Sequence, residues 1–205
     1  MNAEHSLSLQ HRRSIRLAGY DYGQVGAYFL TICAYSHECL FGEIADGEMV
    51  VNAYGMSVLA CWGDLPHHYR NVLLDAFVIR PNHVHGIVIL TGSGSEVVGA
   101  GLKPAPTVPQ KPAPTVTAKP APSADAKVHP LSEITRAFKT FSSRRINELR
   151  RTPGVPVWQG NYYEHIIRNE DEMNRIREYI IHNPSRWAED VENPGRTQTG
   201  IRHSL

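Results

Sequence analysis

Short apolar blocks separated by turn-forming residues predict four principal β-strands. They are Tyr28–Ala34, Leu73–Ile79, His83–Leu90 and Tyr162–Ile167. The third block is apolar on both faces after His85, which predicts a strand that is buried on both sides. Within Cys39–Val51 the pattern predicts a smaller hairpin that turns at Asp46-Gly47.

Three other segments carry apolar residues at helical spacing. They are residues 52 to about 67, Ser132–Leu149 and Glu170–His182. Asn52 and Ser132 are the predicted N-caps of the first two helices, because their side chains can accept hydrogen bonds from the first-turn amides. Pro184 ends the third helix, since proline cannot continue one.

With the small hairpin set aside, the order of elements is β-α-β-β-α-β followed by one more helix. This order predicts an α+β protein of the ferredoxin-like, split βαβ type. We expect an antiparallel sheet with helices on one side and an additional C-terminal helix. A length of 205 residues with 41% hydrophobic residues suits a single domain over residues 1–205.

A proline- and alanine-rich stretch at about 92–130 interrupts this pattern. It contains an eight-residue repeat in three copies, at Lys103–Val108, Lys111–Val116 and Lys119–Pro122. Units this short cannot build a core, and proline favours extended chain. We therefore predict a flexible inserted loop and not a domain boundary, because residues of apparent importance lie on both sides.

The net charge of +1 excludes a global electrostatic attraction to nucleic acid, so any such site must come from local clusters. The three cysteines show no metal-ligand spacing and are typical of reduced residues in a cytosolic protein. No apolar stretch suits a signal peptide or a membrane span. We expect a cytoplasmic protein without a membrane partner.

His83 and His85 are the first candidates for chemistry. Residues two apart on a strand point to the same face, so both imidazoles project together while Val84 points away. Two adjacent imidazoles can bind a divalent metal. The alternative is a pair of structural histidines held by hydrogen bonds, but the apolar surroundings favour the metal.

Tyr179 and Asn183 lie four residues apart in the last predicted helix and so share a face. A phenol beside a metal is a possible nucleophile towards a phosphodiester. The alternatives are a half-buried tyrosine of structural use and an asparagine that caps the helix. His182 is a less favoured substitute ligand.

These residues lie within motifs that resemble the HUH single-tyrosine transposases of the IS200-like family, and more closely the REP-associated tyrosine transposases. The resemblance is carried by Pro81–Gly86 and by Arg177–Trp187, and it covers most of the chain outside the proline-rich loop. The other matching segments are Arg12–Leu17, Tyr20–Tyr22, Gly26–Cys33, Leu40–Ile44 and Val157–Arg168.

The resemblance implies that His83 and His85 bind a divalent metal, Mg²⁺ or Mn²⁺, and that Tyr179 is the nucleophile. The third ligand maps to Asn183, where the insertion-sequence enzymes commonly carry glutamine. The implied activity is metal-dependent cleavage and rejoining of single-stranded DNA at REP-type hairpins through a 5′-phosphotyrosine intermediate. The implied oligomeric state is a monomer or a homodimer.

DNA contacts require basic and aromatic residues. Arg12, Arg13 and Arg16 form a predicted N-terminal arm, and a second cluster, Lys139, Arg144 and Arg145, lies on the Ser132–Leu149 helix. The candidates for stacking on unpaired bases are Trp158, Tyr162 and Tyr163, although core packing is the expected role for at least one of them.

Two other functions fit the same residues. One is a DNA-hairpin-binding protein of this fold that no longer cuts. The other is a phosphodiesterase that activates water and forms no covalent adduct with DNA.

Overall fold

The computed structural model of the chain describes residues 24–92, 128–190 and 192–196. In these ranges the chain forms six strands and four helices, with 3-10 segments at Tyr35–His37 and Pro184–Glu189. The strands are β1 Gly26–Cys33, β2 Gly42–Ala45, β3 Glu48–Val51, β4 Val72–Ile79, β5 His83–Leu90 and β6 Tyr163–Ile167. The helices are α1 Ala53–Gly63, α2 Leu65–His68, α3 Leu131–Arg150 and α4 Glu170–Ile181.

Four strands form one antiparallel sheet in the order β4-β5-β1-β6, while β2 and β3 form a separate hairpin. Each βαβ unit is split, because β5 lies between β1 and β4, and β1 lies between β5 and β6. The predicted α+β, ferredoxin-like class is therefore confirmed.

One row of residues crosses this sheet and organises the site described below. His85 on β5 pairs with Thr31 on β1, and Thr31 pairs with Tyr163 on β6. Paired residues in an antiparallel sheet point to the same face, so these three side chains project together.

Helices α1 and α3 cover the opposite face and bury the main core. Their buried residues recur every three or four positions, as Val58, Cys61 and Trp62 on α1 and as Leu131, Ile134, Phe138 and Ile146 on α3. They pack on Leu30 and Ile32 of the central strand. Each fully buried apolar side chain of this size stabilises the fold by about 1.5–3 kcal/mol.

Helix α4 lies on the face that carries His85 and Thr31. Met173 and Ile180 pack on a second apolar cluster that contains Phe29, Ile87 and Ile167 of the sheet. The additional C-terminal helix thus lies on the opposite side of the sheet from α1 and α3, a position that the sequence pattern did not predict.

Two predicted local features are confirmed and one is wrong. Asn52 caps α1 by accepting hydrogen bonds from Tyr54 N and Gly55 N, and the small hairpin turns at Asp46-Gly47. Ser132 does not cap α3: the helix begins one residue earlier, after Pro130, and has no side-chain cap. The Pro130 carbonyl accepts the first helical hydrogen bonds, from Glu133 N and Ile134 N.

Gly86 leaves room for bulky core side chains on the face of β5 opposite the two histidines. A Cβ at this position would lie 2.5 Å from Trp62 Cζ2 and 2.9 Å from Phe77 Cδ2. The glycine therefore leaves room for the Trp62 ring, which stacks on Phe77 beneath the start of β5.

The N-terminal arm with Arg12, Arg13 and Arg16 lies outside the described residues, as does the whole of the proline-rich repeat. The predicted loop and its flexibility thus stay predictions. Of the helices in the described ranges, none is long and apolar enough to cross a bilayer.

Candidate metal and tyrosine site

The two histidines meet at the start of β5, inside the protein. His83 is 0% exposed and His85 is 4% exposed, and their Nε2 atoms lie 3.0 Å apart. Both rings therefore project from the same face of the strand, as the sequence predicts, and their Nε2 atoms meet.

The other nitrogen of each ring is held by a neighbour. Asn82 Oδ1 lies 2.8 Å from His83 Nδ1, and Thr31 Oγ1 lies 2.9 Å from His85 Nδ1. Asn82 Oδ1 can only accept, so His83 carries its proton on Nδ1 and turns the Nε2 lone pair towards His85. Partners of this kind are what fixes metal-binding histidines in position.

Burial lowers the pKa of both imidazoles from 6.5 to about 3. The positive charge of Arg80 adds to this effect at His83, and His83 adds to it at His85. Both rings are therefore neutral near pH 7, which is the state that binds a metal.

Asn183 brings an amide into the same region from the end of α4. It is 3% exposed, and its Oδ1 atom is buried without a hydrogen-bond partner among the described residues. Its backbone carbonyl accepts a hydrogen bond from the fully buried Arg80. An unpaired buried oxygen costs about 1–3 kcal/mol, so this atom favours a ligand from outside the described residues.

Sequence reasoning misses Asp190, which follows the 3-10 segment Pro184–Glu189. Its Oδ2 atom lies 3.7 Å from His83 Nε2 and 3.1 Å from Arg80 Nη2. His83, His85 and Asp190 have donor atoms within 4.8 Å of one another, so the carboxylate is a second candidate for the third ligand. No motif or spacing marks this residue, because only the fold of the C-terminal segment brings it here.

The Tyr179 hydroxyl lies 3.3 Å from His85 Nε2. The side chain is 44% exposed, so one edge of the site is open to a ligand. Burial raises the pKa of the phenol, and so does the negative charge of Asp190, while a hydrogen bond with Asn183 opposes both. The phenol is therefore protonated near neutral pH and must be activated before it attacks.

Helix α4 is held in place by an ion pair with the edge strand of the sheet. Arg177 Nε and Nη2 donate to Asp75 Oδ1 and Oδ2, both at 2.8 Å. Such bidentate pairs fix orientation as well as distance. Because Arg177 lies two residues before Tyr179, this pair sets where the phenol points.

The donor set fits a divalent cation. Two ligands at right angles, each about 2.1 Å from an ion, lie about 3.0 Å apart, and the two Nε2 atoms are 3.0 Å apart. The unpaired Asn183 Oδ1 supplies an oxygen donor, which Mg²⁺ and Mn²⁺ favour. Asn183 and Asp190 are both candidates for the third ligand, and the Asp190 carboxylate also pairs with Arg80.

The predicted DNA-contacting residues of α3 do not converge on one point as the two histidines do. Lys139 Nζ donates to the backbone oxygens of Gln159 and Gly160 at 2.6 and 2.9 Å, so it holds that segment on α3. Arg145 pairs with Asp64 at 3.5 Å on the surface. Arg144 is exposed and borders a groove of about 680 Å³ between α3 and residues 154–162.

Trp158 lies in the core, contrary to its predicted contact with DNA. It is 6% exposed, its ring packs on Phe41 and Phe138, and its indole N–H donates to Ser142 Oγ at 2.9 Å. Core packing is the alternative that the sequence leaves open for one of the three aromatic residues. It holds for Trp158, because the segment after α3 pairs with the chain at the end of β1 and the Trp158 ring packs into the main core.

Fold and site together define an α+β protein with a buried pair of histidines facing a tyrosine at one end of its sheet. The chain is 38% identical over 197 residues to an uncharacterized protein of Haemophilus influenzae strain Rd, covering 93% of this chain and 97% of that protein. It belongs to the same family as this Haemophilus protein. No family model matches the sequence.

Two solved structures are also similar. A REP-associated tyrosine transposase bound to a REP hairpin gives a TM-score of 0.46 at 15% identity, covering 82% of this chain and 72% of that chain. A candidate transposase from Deinococcus radiodurans gives a TM-score of 0.42 at 15% identity, covering 82% of this chain and 96% of that chain. The family assignment follows from the Haemophilus protein, which is similar over nearly the whole chain.

Proposed function

We propose that this protein is a metal-dependent endonuclease and strand transferase that acts on single-stranded DNA at REP-type hairpins. The observation that carries this proposal is the position of the Tyr179 hydroxyl, which lies 3.3 Å from Nε2 of the buried His85. The Nε2 atom of His83 lies 3.0 Å from the same atom of His85. The motifs shared with the REP-associated tyrosine transposases support the same assignment. All these groups come from one chain, so a monomer contains a complete set.

The proposed reaction is a transesterification at phosphorus. The Tyr179 phenol gives up its proton, and its oxygen attacks the phosphorus while the bond to the 3′ oxygen breaks. The products are a 5′-phosphotyrosine and a free 3′-hydroxyl. Because the phosphoester bond is conserved in the adduct, a 3′-hydroxyl of another strand can displace the tyrosine and rejoin the DNA without ATP.

The residues proposed to hold the metal are His83, His85 and Asn183. A bound Mg²⁺ or Mn²⁺ would stabilise negative charge on the phosphoryl oxygens. The protein's own part is to keep both imidazoles neutral and oriented, through Thr31 and Asn82. Arg80 holds the backbone of Asn183, so the ligand stays beside the tyrosine.

The decisive experiment is to trap the covalent intermediate. The protein is incubated with Mn²⁺ and a labelled pool of random single-stranded oligonucleotides, and the products are separated on a denaturing gel. We expect a labelled protein band from the wild type and none from Tyr179→Phe, which loses only the hydroxyl. Tyr35→Phe, which changes a similarly exposed tyrosine (51%), is the matched control and should form the adduct.

Other outcomes would point to the other functions. An adduct in Tyr179→Phe would move the nucleophile elsewhere, with Tyr162 and Tyr163 as the next candidates. Strand cleavage without an adduct would indicate a water-using phosphodiesterase. Binding without cleavage would indicate a hairpin-binding protein. EDTA should abolish adduct formation and added Mn²⁺ or Mg²⁺ should restore it, and full activity in chelator would exclude the metal.

The proposed DNA contacts outside the site are the arm residues Arg12, Arg13 and Arg16 and the α3 residues Lys139, Arg144 and Arg145. Replacing the three arm arginines by alanine should weaken hairpin binding and reduce the slope of log affinity against log salt by up to about three. Cutting of a saturating unstructured strand should persist, because the metal site is untouched. An unchanged slope would assign the hairpin to α3 instead.

A further inference from the structure

Tyr163 lies in the row that leads across the sheet from the candidate site. The row runs from His85 through Thr31 to Tyr163, on three neighbouring strands. Two strand spacings of about 4.8 Å put Tyr163 about 10 Å from His85 on the same face. Its ring lies edge-on to Phe29 at 6.4 Å, and Tyr179 lies edge-on to the same Phe29 at 6.1 Å.

Of the three aromatic residues in this part of the chain, Tyr163 is the one that remains on the open face. Trp158 is buried in the core, and Tyr162 points to the other side of the sheet, where Lys139 lies 6.0 Å above its ring. Tyr163 is 43% exposed. Single exposed aromatic residues are common on protein surfaces, so it is the place of Tyr163 in the row from His85, and not its exposure alone, that suggests a ligand.

We propose that Tyr163 is a stacking platform for one base of the single-stranded DNA that enters the site. This inference rests on the proposed function and adds a base-binding subsite to it. A stacked strand advances about 3.4 Å per nucleotide, so a separation of about 10 Å places this base about three nucleotides from the phosphate at Tyr179.

The chemistry of the surface favours a base over other ligands. The planar, uncharged Tyr163 ring is exposed on an edge strand and offers a π-face, and every base can stack on such a face whatever its sequence. Aromatic residues on four-stranded sheets bind two or three unpaired bases in this way in RNA-binding domains. Here the neighbouring ring of Phe29 is 9% exposed, so it supports Tyr163 from the side and leaves the outer face free.

The test compares binding of two probes that share phosphates but differ in bases. One is a fluorescein-labelled twelve-residue oligothymidylate, and the other is an abasic strand of the same length. Every variant carries Tyr179→Phe, so that no strand is cut. Tyr163→Ala should bind oligothymidylate about 5- to 150-fold more weakly, which corresponds to one stacked base. Its affinity for the abasic strand should not change.

Two variants separate stacking from other roles. Tyr163→Phe keeps the ring and should bind both probes like its parent, which excludes a role for the hydroxyl. Phe141→Ala removes an aromatic residue of similar exposure (49%) from α3, on the other layer of the protein, and should also bind like its parent. Thermal unfolding of each variant shows that the fold is kept.

The possible results are distinct. Equal binding of oligothymidylate by Tyr163→Ala and its parent would overturn the stacking proposal alone. Equal loss on both probes would also overturn it, because it would show a structural or phosphate contact. If the parent bound neither probe while the wild type formed no adduct, the proposed function would fail and this inference with it.

Discussion

At the scale of single residues, the site depends on side chains that do not touch a substrate. Thr31 and Asn82 each occupy one nitrogen of a histidine, which leaves both Nε2 atoms facing each other. Arg80 is fully buried and ties the site to the C-terminal segment through Asn183 and Asp190. The candidate ligands are therefore held in position by the protein, which would reduce the entropic cost of binding the proposed metal.

Replacing Thr31 by Val tests this arrangement, because valine keeps the shape and removes the partner of His85 Nδ1. We expect about 10- to 100-fold weaker binding of Mn²⁺, measured by calorimetry, since the ring loses its fixed tautomer and orientation. Thr140→Val is the matched control, because its hydroxyl bonds only to the backbone oxygen of Arg136 on exposed α3. Unchanged Mn²⁺ affinity in Thr31→Val would mean that His85 needs no such support.

At the scale of elements, the position of α4 relative to the sheet decides whether the tyrosine reaches the histidines. Met173 and Ile180 give α4 its apolar contact, but such contacts tolerate sliding. The bidentate pair between Arg177 and Asp75 on β4 adds direction. The hydrogen bonds from Arg177 hold the pKa of Asp75 below its ordinary value, because they stabilise the charged form of the carboxylate.

We expect Asp75→Asn to lower the free energy of unfolding by about 1–3 kcal/mol near pH 7, because it removes a charged, bidentate pair. Adduct formation should fall further than DNA binding, since α4 carries the proposed nucleophile. Glu170→Gln is the matched control: this carboxylate also contacts Arg177, at 3.1 Å, but it is 63% exposed and should change stability by less than about 0.5 kcal/mol.

The same pair predicts how stability depends on pH. The pKa of Asp75 is lowered in the folded state, so its contribution is complete above the unfolded pKa of about 3.9 and is lost as pH falls through the folded pKa. The difference in urea unfolding free energy between wild type and Asp75→Asn should be constant above about pH 5 and shrink below about pH 4. A difference that stayed constant down to pH 2 would contradict this assignment.

At the scale of the whole molecule, Asn71 contacts the chain on both sides of the proline- and alanine-rich stretch. The backbone oxygen of Asn71 accepts from Thr91 N at 2.9 Å, and its side chain bonds the backbone of His129. The chain thus leaves the sheet at the end of β5 and returns to the start of α3 at the same place. A short connection is enough to close this gap.

Deleting about thirty residues within Gly92–Lys127 should therefore change the melting temperature by no more than a few degrees and the extent of adduct formation by no more than about twofold. The reason is that closing a shorter loop costs little entropy. Asn71→Ala is the contrasting variant, since it breaks the link between the two ends and should destabilise the protein more than the deletion does. A large loss of thermal stability in the deletion would show that the segment packs on the domain.

Much of the fold is predictable from the sequence because it follows from local pattern. The period of the apolar residues predicts the strands and the three longer helices, and their order predicts the split βαβ class. The single helix predicted from residue 52 to about 67 is in fact two, α1 and α2. Asn52 and Asp46-Gly47 were predictable because capping and tight turns depend on a few adjacent residues. The predicted Ser132 cap was wrong because the helix begins after Pro130, two residues earlier, where the backbone carbonyl of Pro130 accepts the first helical hydrogen bonds.

The sequence by itself determines that His83 and His85 share a face and that Tyr179 and Asn183 share another, because strand and helix periods are fixed by backbone geometry. Only the tertiary structure decides that these two faces meet, that Thr31 and Asp190 join them, and that Tyr163 but not Trp158 stays exposed. Those relations depend on strand register and on how the C-terminal segment crosses the sheet. Neither is encoded in the spacing of nearby residues, because contacts between distant segments are chosen by packing of the whole core.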